Sequence, residues 1–270
     1  MCGTRLIRME FVPNAIGTGL LPRVCGASSS RRMRSGTTSR VGILKRARKR
    51  RGSLKRDSPP RIRTATLQRW QAACETTGFL GLTRDYLRVM RGWSSWGRHY
   101  HTVAHLEACL KEFDTSREFA SAAGEVELSL WFHDAIYSTW RGDNEARSAA
   151  LAAKLMERKA PPGLVERITS AVLATRHQDT ELTGDPALVV DIDLAILGKS
   201  PEIYQEFERN VRREYWWVPH RRYVSERCAV LESFLERKSI YCSREFRARY
   251  EATARQNLMS AMEGLRSSHR

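Results

Sequence analysis

Leu128-Ser-Leu-Trp-Phe-His-Asp-Ala-Ile-Tyr137 is an apolar stretch that runs straight into an imidazole and a carboxylate. Read with a helical period, it places His133 on one face with Val126, Leu130, Ile136 and Tyr137, so a helix over 124–138 buries a polar ring among apolar side chains. The same period recurs on both sides of it. Upstream, Leu67, Trp70 and Cys74, then Leu82, Tyr86 and Met90, fall at helical spacing, broken around Gly78 and Gly81, and a helix over 102–114 follows. Downstream, a helix starts near Asp143 and carries alanines at 149, 150, 152 and 153. Pro161 and Pro162 mark another start, followed by the stripe Leu164, Ile168, Val172 and Thr175. Leu188 to Leu197 is short and apolar, with Gly198 as the expected C-cap. Helices are expected near 201–215, 220–237 and 244–264. No alternating Val/Ile/Thr-rich segment bounded by hairpin turns occurs, so the expected class is all-α, with about nine helices.

Composition bounds the function. The formal charge of +16 suggests a nucleic-acid binder until its distribution is read. Residues 1–63 hold 17 Lys and Arg against Glu10 and Asp57, whereas the remaining 207 residues hold 29 basic and 28 acidic side chains. The basic character therefore belongs to residues 1–63, which are Gly-, Ser- and Arg-rich, carry the run Lys45 to Arg51, and are expected to be a disordered tail. Three readings of that tail stay open: a transit peptide, a segment that binds nucleic acid or an anionic surface, and a translation start that lies further on. No apolar run has the length of a membrane span. The six cysteines form no CxxC pair, which argues against a disulfide framework or zinc knuckle and for free thiols in a reducing compartment, with Cys109 and Cys228 packing as small hydrophobes. The expected localisation is cytoplasmic, with organelle targeting by the tail left open.

Four places gather side chains that bind metals. They are His101-Thr-Val-Ala-His105, with two imidazoles on one helix face; His133-Asp134; Asp191-Ile-Asp193; and His177. A buried ionised Asp is costly unless it is paired or bound to metal. Two carboxylates in one short apolar helix are therefore hard to explain as packing. A divalent ion would satisfy Asp134 together with an acid from 191–193 and take neutral nitrogens from His105 and His133.

The ordered set of His, His-Asp and a distant Asp resembles the HD superfamily of metal-dependent phosphohydrolases. Tyr100-His101 with His105 resembles the opening motif of cyclic-nucleotide phosphodiesterases, and Asp193-Leu194 followed by Lys199-Ser200 resembles the segment carrying their last metal-binding Asp. From about residue 65 onward the chain is similar to short predicted HD-type hydrolases, through Tyr100 to His105, His133 to Tyr137, Asp143 to Arg147, Ala174 to His177 and Asp191 to Gly198. The resemblance implies an HD-type helical bundle over 64–270 that hydrolyses a phosphate ester, a nucleotide or another monoester or diester. It implies His105, His133, Asp134 and Asp193 as ligands, with Asp193 favoured over Asp191, and His101 as the acid that protonates the leaving group. Mn, Fe, Zn, Co, Ni or Mg would suit such a donor set.

Further expectations are attached to single residues. Glu145 is a candidate to orient water, though acids in a first helical turn are also explained by the helix dipole, as is Asp143. Asp143, His177 and Lys199 are candidate substrate contacts; a solvent-facing His at a helix end and a solvated Lys are their structural alternatives. Arg212-Arg213 has the same standing. The expected partner is a small phosphorylated substrate, with nucleic acid only through residues 1–63, no membrane, and oligomeric state open. Two other functions stay in view: a metal-binding regulatory HD domain without turnover, and a nucleic-acid-associated protein acting through its tail.

Overall fold

The computed structural model describes residues 64–178 and 181–267. The expectations for residues 1–63 lie outside this range. Ten α-helices follow one another: α1 (Thr64–Thr77), α2 (Thr83–Trp93), α3 (Val103–Asp114), α4 (Ala123–Phe132), α5 (Asn144–Met156), α6 (Leu164–Ala174), α7 (Gly184–Leu194), α8 (Pro201–Glu214), α9 (His220–Leu235) and α10 (Arg244–Ser267). Two short 3₁₀ turns, Arg117–Phe119 and Ala195–Gly198, complete the set, and no strand occurs among the described residues. The all-α expectation holds. No helix among the described residues is long and apolar enough to cross a membrane.

α4 is the central element. Leu128, Leu130, Trp131 and Phe132 are fully buried, because the helix is surrounded by α1, α3, α6 and α7. Trp70 of α1 meets Trp131 edge-on, with ring centroids 5.5 Å apart, and Phe132 at 5.7 Å. Each such ring contributes about 1.5–3 kcal/mol through burial. The buried acid of this helix, Glu127, is matched by Arg69 and Arg117. Trp93 is likewise buried, its indole N–H donating to the Trp131 carbonyl, whereas Trp96 and Trp216 are exposed and Trp217 stacks on Trp140.

The structure departs from the periodicity at three ends. α4 stops at Phe132, six residues before the expected end. Tertiary partners take the backbone groups that a longer helix would use. Arg98 donates to the carbonyls of Asp134 (2.8 Å) and Ala135 (3.3 Å), while the Ser148 hydroxyl accepts from the Ile136 N–H (3.0 Å). Gly92 of α2 makes room for this turn, since a Cβ at 92 would lie 2.0 Å from the Ala135 carbonyl oxygen. Tyr137 accordingly leaves the expected α4 face. Gly198 is not a left-handed C-cap; it ends a 3₁₀ turn, and a Cβ there would lie 2.5 Å from the Tyr250 side chain. Close approach of α10 explains that glycine. Pro161 and Pro162 precede α6 rather than open it, because Gly163, with φ +77°, is the N-cap.

Gly92→Ala separates packing from propensity. Ala favours a helix over Gly by about 1 kcal/mol, yet the contact with Ala135 should reverse the sign and destabilise the protein by about 1–3 kcal/mol. Denaturant unfolding reads the difference, and a stabilised variant would show that the α2–α4 approach is not constrained there.

Candidate metal centre

The described residues bring four helix ends to one point. α3 begins at Val103, capped by the Thr102 hydroxyl, and presents His105 one turn into the bundle. α4 ends on His133, which is fully buried. α7 presents Asp193 in its last turn, and His177 follows α6.

The donor atoms are close. His105 Nε2 lies 3.1 Å from Asp193 Oδ1, and His133 Nε2 lies 3.3 Å from His105 Nε2 and 3.5 Å from Asp193 Oδ1. Asp134 Oδ2 is 3.5 Å from His133 Nε2. Ligands bound to one transition-metal ion at about 2.0–2.2 Å are separated from each other by about 3.0–3.5 Å, so these spacings fit a shared cation. The His133 Nδ1–H donates to the Leu130 carbonyl at 2.8 Å, which turns Nε2 toward the cluster. The donor atoms of His105, Cys109, His133 and Asp193 all lie within 4.8 Å of one another and could hold a metal ion, with Asp134 beside His133.

The electrostatics point the same way. Burial lowers the affinity of His133 for a proton, but the charges of Asp134 and Asp193 outweigh it and raise its pKa to about 9. Burial would raise the Asp193 pKa, yet His133 and the hydrogen bonds from His105, His133 and His177 hold it well below the usual carboxylate range. Burial keeps His105 on the neutral side, with a lowered pKa. The cluster therefore seeks positive charge, from a proton or from a cation.

His177 and His101 flank it. His177 Nε2 is 3.1 Å from Asp193 Oδ2, its backbone sits at φ +56°, and its carbonyl accepts from Arg237. The ring faces the cluster rather than solvent. His101 Nε2 lies 3.9 Å from Asp134 Oδ2, and its ring stacks on Tyr137 with centroids 3.9 Å apart. Its Nδ1 donates to Glu214 Oε2 at 2.7 Å. Glu214 also accepts from the Tyr137 hydroxyl at 3.0 Å and from the backbone N–H groups of His99, Tyr100 and His101 at 2.8–2.9 Å. Burial works against its ionisation, but His101 and these donors bring its pKa down to about 2.

Other expected contacts are not at the centre. Asp143 is on the surface, accepting from Arg147 at 2.9 Å one turn on. The Lys199 ammonium is committed to Glu112 (2.6 Å) and the Tyr250 hydroxyl (2.9 Å), on the wall of a second cavity that His105, Cys109 and Asp193 also line. Arg212 donates to the carbonyls of Tyr215 and Val218. Glu145 is buried at the start of α5 and does not line the cavity of about 150 Å³ on which His101, Asp134, His177 and Asp193 open. Asp191 points away from the cluster and accepts from the backbone N–H groups of Cys242 (2.6 Å) and Ser243 (2.7 Å), just before α10.

Two residues of the centre were missed by sequence reasoning. Cys109 lies one turn beyond His105 on the same face, and its sulfur is 3.7 Å from both ring nitrogens. Burial pushes its thiol pKa well up, which keeps the sulfur protonated. The spacing from His105 to Cys109 was the available signal, and Cys228, grouped with it as a packing residue, is only half-buried. Glu214 closes a contact across 113 residues and left no local signal. Comparison with protein-family models, curated proteins and solved structures returned no match.

Two outcomes test this centre. His133 binds a proton more tightly in the folded chain than its ordinary 6.5 allows, so that stabilisation is complete below pH 6.5 and disappears as pH rises through about 9. The metal-free protein should lose stability across this window. Divalent-ion affinity should rise across it, and calorimetry in buffers of different ionisation heat near neutral pH should record release of about one proton per ion. Absence of proton release would place His133 among the neutral imidazoles. Separately, Asp191→Ala should retain metal and lose about 1–3 kcal/mol from two stranded N–H donors, whereas Asp193→Ala should lose metal. Elemental analysis and thermal melts of both variants decide the assignment.

Proposed function

We propose that this chain is a metal-dependent hydrolase of phosphate esters of the HD type. The observation that carries the reading is the convergence of His105, His133, Asp134 and Asp193 beside a cavity into which a separately oriented His101 also opens. His105, His133, Asp134 and Asp193 would hold a divalent ion, which would supply activation of water and compensation of charge on a phosphoryl group.

The chain's own groups have distinct tasks. Asp134 and Asp193 provide the negative charge that draws a cation into an otherwise apolar interior. The Leu130 carbonyl holds the His133 ring so that Nε2 stays directed at the site. Glu214 holds Nδ1 of His101, which leaves Nε2 as the atom facing the cavity side of Asp134. A proton on that Nε2 is positioned for a departing alkoxide or phenolate. Tyr137 limits ring rotation by stacking and by its own bond to Glu214.

The test begins with elemental analysis of the purified protein, followed by the same preparation on a panel of phosphate monoesters and diesters with added Mn or Co. Turnover that requires the ion supports the proposal; stoichiometric metal without turnover on any ester supports the regulatory reading instead. His101→Ala should keep metal and lose activity roughly a hundredfold or more, with a smaller loss on nitrophenyl esters, whose leaving groups need little protonation. His105→Ala should lose metal and activity together. Loss of metal from His101→Ala would make His101 a ligand and end its assignment as the acid.

A further inference from the structure

The cavity beside the cluster carries positive charge that the described residues balance only in part. Three guanidinium groups, Arg176, Arg227 and Arg237, reach its wall. Arg227 is neutralised by a two-point contact with Glu208, at 2.6 and 3.1 Å. Arg237 has no carboxylate partner among the described residues. It donates to the His177 carbonyl at 2.5 Å and lies over the Phe234 ring at 4.2 Å, while its Nε is buried without a hydrogen bond. Arg176 has no side-chain partner among the described residues.

A partly buried guanidinium without a counter-ion is costly unless an anion occupies the space it faces. Its position is also specific. Arg237 grips the backbone of His177, whose ring touches Asp193, so the guanidinium stands one residue's length from the cluster. The left-handed backbone of His177, unfavourable for a residue other than glycine, is what lets one residue face both ways.

The charges around the cavity can be paired off. Asp134 and Asp193 match a divalent ion, Glu208 matches Arg227, and Glu214 faces the buried Arg98 and His101. Arg176 and Arg237 remain, two positive charges with fixed fork geometry suited to phosphate oxygens. A phosphate diester carries one negative charge and a monoester close to neutrality carries about two. We propose that Arg237, with Arg176, forms an anion subsite that selects phosphate monoesters over diesters. The proposal rests on the phosphate-ester reading of the adjoining metal centre and narrows it to one substrate class.

The full chain is used for the test, since residues 1–63 contribute a basic background that cancels between variants. Inorganic phosphate is titrated calorimetrically at physiological salt into wild type, Arg237→Met, Arg176→Met and Arg237→Lys, each checked by helical circular dichroism. Arg237→Met should weaken phosphate binding by about tenfold or more, Arg176→Met should weaken it less, and Arg237→Lys should restore part of the loss. With 4-nitrophenyl phosphate and bis(4-nitrophenyl) phosphate, Arg237→Met should reduce kcat/KM for the monoester by at least about tenfold relative to the diester. Hydrolysis of both esters with an unchanged ratio in folded Arg237→Met and Arg176→Met would overturn the subsite and leave the hydrolase reading intact. Arginine-dependent phosphate binding without hydrolysis of any ester would keep the subsite and refute the hydrolase. Phosphate binding unchanged in both methionine variants would overturn the subsite whatever the activity.

Discussion

The carboxylate of Asp193 sits in the interior of a helical bundle, and burying an uncompensated charge there costs several kcal/mol. Three imidazoles, from His105, His133 and His177, surround it at 3.1–3.5 Å. Each comes from a different element, so satisfying one acid ties α3, the end of α4, the end of α6 and α7 together. That requirement explains why helix ends, rather than helix middles, meet at this point. A helix terminus has carbonyls without intrahelical partners, and here they orient the site. The Leu130 carbonyl fixes the His133 ring, the Asp134 and Ala135 carbonyls hold Arg98, and the His177 carbonyl holds Arg237. One set of unsatisfied groups therefore terminates the helices and aims the side chains.

Glu214 is a second organiser that works without touching the cluster. Its two oxygens take three successive backbone N–H groups, a ring N–H and a phenol, which makes the segment 99–101 a fixed strap rather than a loose loop. Burial opposes its ionisation, but His101 and the backbone donors lower its pKa to about 2, which favours the ionised form that holds the His101 ring. The His105, His133 and Asp193 cluster and the His101 ring thus have separate supports, on α3, α4 and α7 for the first and on the end of α8 for the second.

How much of this was legible in the chain depends on the range of the interaction. Helical periodicity exposed the bundle because core positions such as Leu164, Ile168 and Val172 answer to the local period alone. His133 and Asp193 were legible because each fell on an apolar stretch, where packing offers no explanation for it, whereas His105 and Asp134 were singled out by their order along the chain and the resemblance it carries. What stayed hidden was set by partners far along the chain. The end of α4 is decided by Arg98, Gly92 and Ser148, none of which alters the spacing of Leu128 to Tyr137. Glu214, following Arg212-Arg213, reads as one more charge at a helix end until the fold folds it inward. Lys199 was an attractive phosphate contact by sequence, but Glu112 and Tyr250 reach it first.

Asp191 and Asp193 show what distinguishes a site from a buried acid. They belong to one helix, lie two residues apart and are both withdrawn from solvent, so burial acts on both in the same direction. Their partners differ. Asp191 meets two backbone N–H groups ahead of α10, which are fixed dipoles; burial remains the larger effect and its pKa is raised. Asp193 meets three imidazoles, which can carry a proton or give it up, and its pKa falls well below the ordinary value. The first acid is satisfied permanently by the backbone and serves as a joint between α7 and α10. The second is satisfied by imidazoles, whose charge is exchangeable. Exchangeable compensation, more than burial, is what sets the acid at the end of α7 apart from its neighbour two residues earlier.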